Sequence, residues 1–258
     1  MEIVIVKDRA MVGRHAAGLI EQTVKSRPAA VLGLATGSSP LPVYEALEGK
    51  NLDWTDVSGF ALDEYVDIPA RHPQSYASVI RREVVDRLGL DGRRVHVPDG
   101  RASDLDAAAR QFDGAIRETG GVDLQLLGIG TNGHVGFNEP GSSFASRTRV
   151  AALTANTREA NSRFFDSVHQ VPTHCITQGL GTILEARRLV LVADGTHKAE
   201  AVARAVEGPV TSMCPASAIQ LHPWATVVID EAAAAKLTMQ DYYRQPASPV
   251  RTETGALR

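Results

Sequence analysis

A chain of 258 residues can bury one large core, and a formal net charge of −3 with no long run of one sign offers no electrostatic grip on nucleic acid or an anionic membrane. Two cysteines, Cys175 and Cys214, are too few for a disulfide framework and read as buried thiols in a reducing cytosol. The N-terminal "MEIVIVKDRAMVGRHAAG" lacks a basic start followed by a long apolar region, and no apolar run approaches membrane-span length, so a cytoplasmic protein is expected.

Six short, nearly continuous apolar runs read as buried strands: "EIVIV", "AAVLGLA", "VSGFAL", "VDLQLLGIG", "RRLVLVAD" and "WATVVID". Helical patterns lie between them. "SPLPVYEAL" offers Ser39 as a cap, Pro40 at the first helical position, and Leu41, Tyr44 and Leu47 on one face. "ASDLDAAARQFDGAIRETGG" offers Ser103 as a cap, Asp106 in the first turn and Gly120 as the stop. "THKAEAVARAVEG" predicts a helix from Thr196 to Gly208, and "EAAAAKL" predicts a last one. Strands alternating with helices predict an α/β fold, a doubly wound, mainly parallel sheet flanked by helices. No linker composition divides the chain, so one domain is expected over 1–245, followed by a mobile tail at 246–258 with few apolar anchors.

In such sheets ligands sit beyond the carboxyl ends of the strands. The second run ends in Thr36, Gly37, Ser38 and Ser39 before a Pro-started helix. Glycine lets the backbone approach a ligand and the hydroxyls and free N–H groups can donate to it, so this stretch is an anion cradle or a plain strand-to-helix turn. It is not a nucleotide P-loop, because no Lys-Ser or Lys-Thr follows at the required spacing. Asp63 and Glu64 end the third run, and only one of two neighbours on an extended chain readily faces a given cleft. A carboxylate there is a general base or a solvated loop residue.

"LLGIGTNGHVGFNEPGSS" follows the fourth run, and Gly128, Gly130 and Gly133 match the dinucleotide pattern G-x-G-x-x-G. Gly136, Pro140 and Gly141 stand where the crossover helix would run, and no acidic partner for a ribose follows, so a dinucleotide is not expected. The glycines instead bring His134 and Glu139 toward one place as a proton-transfer pair. The eight histidines show no H-E-x-x-H and neither cysteine lies in C-x-x-C, so no metal is expected.

"LDEYV", "HPQSY", "GIGTNGHVGFNEPGSSFASRTR", "NSRFF" and "VEGPVTSMCPASAIQLHP" together resemble the glucosamine-6-phosphate deaminase family, over nearly the whole span from "LGLATGSSP" to "VVIDE". The resemblance implies a modified Rossmann-like fold, no cofactor or metal, and conversion of D-glucosamine 6-phosphate and water to D-fructose 6-phosphate and ammonia. It implies that Asp63 moves a proton from C2 to C1, and that His134 opens the ring with support from Glu139 and Asn132. It implies that the sugar phosphate rests on Thr36, Gly37, Ser38 and Ser39, with Arg163 and Lys198 as cations. Some relatives carry aspartate where this chain has Asn132, so Asn132 is expected to orient and Glu139 to supply the charge. The family also implies a homo-oligomer, a trimer or hexamer, in which some members are activated by N-acetylglucosamine 6-phosphate. Here Ser142 and Arg149 match that effector site, but Ala151 stands where a lysine is expected. A 6-phosphogluconolactonase and a non-catalytic sugar-phosphate sensor are the alternatives. The first has no use for the Asp63 shuttle, and the second needs a DNA-reading domain for which this chain leaves no room.

Overall fold

The computed structural model describes residues 1–69 and 71–245, and the tail expected at 246–258 lies outside them. In chain order it forms β1 (Glu2–Val6), α1 (Arg9–Ser26), β2 (Val31–Leu34), α2 (Leu41–Glu48), β3 (Ser58–Ala61), β4 (Asp63–Tyr65) and α3 (Tyr76–Ile80). A π-helical turn at Arg81–Val85 joins α3 to α4 (Asp86–Leu88), and β5 (Val95–His96), α5 (Leu105–Glu118) and β6 (Leu124–Leu127) follow. Then come β7 (Arg149–Ala152), α6 (Ala155–Asn161), β8 (His174–Thr177), α7 (Leu180–Leu184), β9 (Leu189–Ala193), α8 (Ala199–Val206), β10 (Ala225–Asp230) and α9 (Gln240–Tyr243).

Among the described residues seven strands make one sheet in the order β1-β10-β9-β6-β2-β3-β5, with every pair parallel. All six apolar runs are strands of this sheet. β2, β6, β9 and β10 are buried along their whole length, as expected of central parallel strands covered by helices on both faces. Each fully buried leucine, such as Leu126, would cost about 2–5 kcal/mol on truncation to alanine.

From β2 the chain steps outward through β3 and β5, whereas β6 pairs with the other side of β2 and leads to β9 and β10. The loops after β2 and β6 therefore diverge at the switch point of the sheet, where a crevice opens. Those are the loops of Thr36–Ser39 and of Gly128–Gly141.

A second, antiparallel sheet, β4-β8-β7, stands against this crevice and was not foreseen from the sequence. Only Leu62 separates β3 from β4. Its N–H donates to Leu34 in the main sheet and its carbonyl accepts from Gln178 beyond β8, so Asp63 begins the second sheet where the two meet. A small aromatic cluster of Tyr65, Phe137 and Tyr76, packed over Cys175, fills the space behind Asp63.

Three local expectations change. Pro40 rather than Ser39 caps α2, and no side chain caps it. Asp104 rather than Ser103 caps α5, its carboxylate accepting from the Ala107 N–H at 2.8 Å. The alanine run at 231–237 is a series of turns, not a helix. Asp230 accepts from the Ala233 N–H at 2.7 Å, Ala233 and Ala234 are fully buried, and that docking overrides the helical propensity of alanine.

Candidate active site

A cavity of about 470 Å³ opens at the switch point, lined by the loops after β2 and β6, the start of β4 and the segment around α6. It brings together Thr36, Gly37, Ser38, Ser39, Asp63, Asn132, His134, Arg163 and Lys198. Glu139 sits behind His134, buried, against α6.

One end of the cavity suits an anion. Gly37 has φ +97°, a conformation open to glycine at little cost, and this turns the chain sharply after β2. Among the described residues the N–H groups of Thr36 to Ser39 have no protein partner. Arg9, at the start of α1, donates to the Ser38 carbonyl at 2.8 Å and holds the loop from outside. Lys198, in the turn before α8, is half-buried and donates to the Ile129 carbonyl at 2.6 Å. Burial, and then the nearby Arg163 guanidinium, hold its ammonium below the usual lysine range. Arg163 is exposed and lies 4.7 Å over the ring of Phe164. Two cations that disfavour one another beside unpaired N–H groups call for an anion between them.

Asp63 is 5% exposed and, among the described residues, its carboxylate accepts no hydrogen bond from the protein. Burial, and then Glu64, push it well above the ordinary aspartate value. Its neighbour points away, as the alternation of an extended chain requires. Glu64 accepts from the backbone N–H groups of Tyr65, Tyr76 and Ala77 at 2.8 to 2.9 Å, and so anchors α3. Asp63 is thus no solvated loop residue but an unpaired buried carboxyl group facing a cavity.

Opposite it, the loop after β6 carries His134. A Cβ on Gly130 would lie 2.2 Å from the His134 ring, so glycine makes room for the imidazole there. His134 Nδ1 lies 3.7 Å from Oε2 of Glu139, within ion-pair range but beyond a hydrogen bond, and has no other partner. Asn132 bridges the two: Nδ2 donates to Glu139 at 2.7 Å, and Oδ1 accepts from the backbone N–H of His134 at 3.1 Å. Asn132 thus touches the His134 backbone and Glu139 and makes no hydrogen bond to the imidazole ring. Burial opposes the charged form of Glu139, but the His134 ring with the hydrogen bonds of Thr157 and Asn132 brings its carboxyl down to about 2. Asn138, fully buried, donates to the carbonyls of Val135 and Gln178 and accepts from Arg149, which pins the loop to the second sheet.

Sequence reading assigned no role to Tyr65, Tyr76, Asn161, Thr154 or Thr157. The two tyrosines and Asn161 line the cavity, where the Tyr65 hydroxyl accepts from Tyr76 at 3.3 Å and from Asn161 at 2.9 Å. Their signal was present in "LDEYV", "HPQSY" and "NSRFF". Among the described residues no three His, Cys, Asp or Glu side chains gather as metal ligands, and no helix is long and apolar enough to cross a membrane. The loop after β6 runs on to β7 without a crossover helix, which removes the dinucleotide pattern's required context.

Residues 9–228 match the family model described as glucosamine-6-phosphate isomerases/6-phosphogluconolactonase. The chain is 56% identical to a glucosamine-6-phosphate deaminase of Pseudarthrobacter chlorophenolicus, with 95% of each chain covered. It is 53% identical over all of both chains to the protein of that name from Cutibacterium acnes. A solved structure described as a monomeric glucosamine-6-phosphate deaminase superposes with a TM-score of 0.89 at 39% identity, covering 92% of this chain and 100% of that one. The 6-phosphogluconolactonase of Trypanosoma cruzi shares the fold, with a TM-score of 0.75 over 92% of this chain and 97% of that one, at only 18% identity.

Proposed function

The chain belongs to the family of glucosamine-6-phosphate isomerases and 6-phosphogluconolactonases, and from that premise we propose that it converts D-glucosamine 6-phosphate and water to D-fructose 6-phosphate and ammonia. The observation that carries this reading is the unpaired buried carboxylate of Asp63 in the same cavity as the His134–Glu139 pair. An isomerising deaminase needs two proton transfers, and these are two separate devices for them.

The substrate phosphate rests on Thr36 to Ser39 between Arg163 and Lys198, which leaves the sugar ring near His134 and Asp63. His134 takes the proton of the C1 hydroxyl and returns it to the ring oxygen as the C1–O5 bond breaks, with Glu139 stabilising the charged imidazole. The C2 proton is now acidic beside the C1 aldehyde. Asp63 removes it as the substrate ammonium passes a proton to the C1 oxygen, giving an enolamine, and then delivers a proton to C1, leaving an iminium at C2. Water adds to C2 and ammonia departs, so atoms balance.

Incubation with glucosamine 6-phosphate should release ammonia and fructose 6-phosphate in equal amounts. Hydrolysis of 6-phosphogluconolactone without ammonia release would move the chain to the other branch of its family. Lys198→Met or Arg163→Met should raise KM roughly 10- to 100-fold, the scale of a lost hydrogen bond to a charged group, with a smaller effect on kcat. The same variants should barely differ from wild type on glucosamine, which has no phosphate.

The protein is proposed to act in the cytoplasm. The trimer or hexamer rests on the resemblance alone, and one solved relative is described as monomeric. Sedimentation at the monomer mass would remove it. Arg149 is already paired with Asn138 at 2.8 Å and Ser142 at 3.1 Å, and Ala151 adds no cation, so N-acetylglucosamine 6-phosphate should leave the half-saturating substrate concentration unchanged. A clear drop on its addition would refute this.

A further inference from the structure

Glu139 divides its carboxylate between two segments of chain. Oε2 accepts from Asn132 at 2.7 Å and faces His134 at 3.7 Å, both on the loop after β6. Oε1 accepts instead from the hydroxyls of Thr154, at 3.0 Å, and Thr157, at the beginning of α6. The Thr154 oxygen also accepts from the Thr157 N–H at 3.2 Å, so the two threonines are fixed relative to each other, and Thr157 is buried. A carboxylate held through one oxygen alone turns freely about its last torsion. With Oε1 fixed by two hydroxyls, the plane of the group is set and Oε2 is presented to the imidazole.

The same segment reaches the rest of the site. Asn161, the last residue of α6, donates to the Tyr65 hydroxyl two residues from Asp63 at 2.9 Å, and Arg163 follows in the next turn. One short stretch therefore touches the ring-opening pair, the wall beside the base and the cationic end of the cavity.

We propose that Thr154 and Thr157 are positioning residues for ring opening, fixing the Glu139 carboxylate so that the seating of α6 and Arg163 on the substrate also sets the His134–Glu139 pair. This rests on the deaminase reading of the site. A purely structural role, capping α6 and satisfying a buried carboxylate, predicts different kinetics.

The test uses Thr157→Val, which keeps the shape and removes the hydroxyl, and Thr157→Ser, which restores it. For Thr157→Val, kcat should fall on the order of 10- to 100-fold, the usual cost of losing such a supporting partner, while KM stays within about threefold. Thr157→Ser should recover most of kcat. Binding of the linear analogue 2-amino-2-deoxy-D-glucitol 6-phosphate should be unchanged in both, because an open chain needs no ring opening. Wild-type kcat in Thr157→Val, equal losses in both variants, or weakened binding of the linear analogue in step with kcat would each overturn the proposal. The unmodified protein is assayed beside them. If it releases no ammonia, the deaminase reading falls and this inference with it; if it does, those failures belong to the inference alone.

Discussion

Asp63→Asn loses turnover by on the order of 10²- to 10⁴-fold, the range of a positioned general base, yet melts at a higher temperature than the parent protein at neutral pH. Both effects come from one arrangement. Asp63 is buried without a partner, so the fold favours its protonated form and its carboxyl lies well above the ordinary aspartate value of 3.8. Glu64 adds to this, and Tyr65, Tyr76 and Cys175 are the other titratable groups that feel its charge. The sign follows directly. A carboxyl with a raised folded value contributes stability below 3.8 and loses it as pH rises through the folded value. Asparagine carries no such penalty, so the gain in melting temperature should be absent near pH 3 and should grow as pH rises. The same displacement makes Asp63 a stronger base once ionised, and kcat/KM should climb through a limb lying well above pH 4. A limb near pH 4, or a variant less stable than the parent at pH 8, would contradict this.

Glu139→Gln should lower kcat by about 10²- to 10³-fold, while binding of the linear alditol phosphate is retained. The amide removes the negative charge that steadies the imidazole. It also turns a donor toward either the threonine hydroxyls or the Asn132 amide, all of which already donate. Asn132→Ala should cost less, roughly tenfold, because it leaves the charge in place and loses only the bridge to the His134 backbone. The reverse order, with Glu139→Gln harmless and Asn132→Ala inactive, would transfer the charged role to a residue that has no charge. Glu139 is held down to about 2, so its contribution to stability is present above its ordinary 4.5 and is lost as pH falls from there toward 2. It should therefore give no limb in the neutral pH–rate profile.

Six strands of the main sheet were legible as nearly unbroken apolar runs, four of them buried along their whole length, whereas the half-buried, two-residue β5 left no such run. The second sheet was not. β7 is half-exposed along its length, β8 begins with an exposed histidine, and β4 contains two carboxylates whose burial depends on tertiary partners. α1 escaped notice for a related reason, since Gly13 and Gly18 interrupt its middle and lower its propensity, while tertiary packing against α2 sustains it. At the site, strand ends pointed to Thr36–Ser39, Asp63 and His134 from position alone, but roles came from the resemblance. The threonines that grip Glu139 were invisible because their partner lies 15 and 18 residues away across a loop and a strand. No local pattern records such a contact.

The central claim is that one carboxylate, Asp63, carries the C2 proton to C1. The most direct measurement uses glucosamine 6-phosphate deuterated at C2, turned over in ordinary water, with the C1 position of the fructose 6-phosphate examined by NMR. Ammonia should be released more slowly from the deuterated substrate under kcat/KM conditions and part of the label should appear at C1, the remainder exchanging with water while it rides on the carboxyl. Label absent from C1, with deuterated and ordinary substrate consumed at the same rate, would contradict the claim.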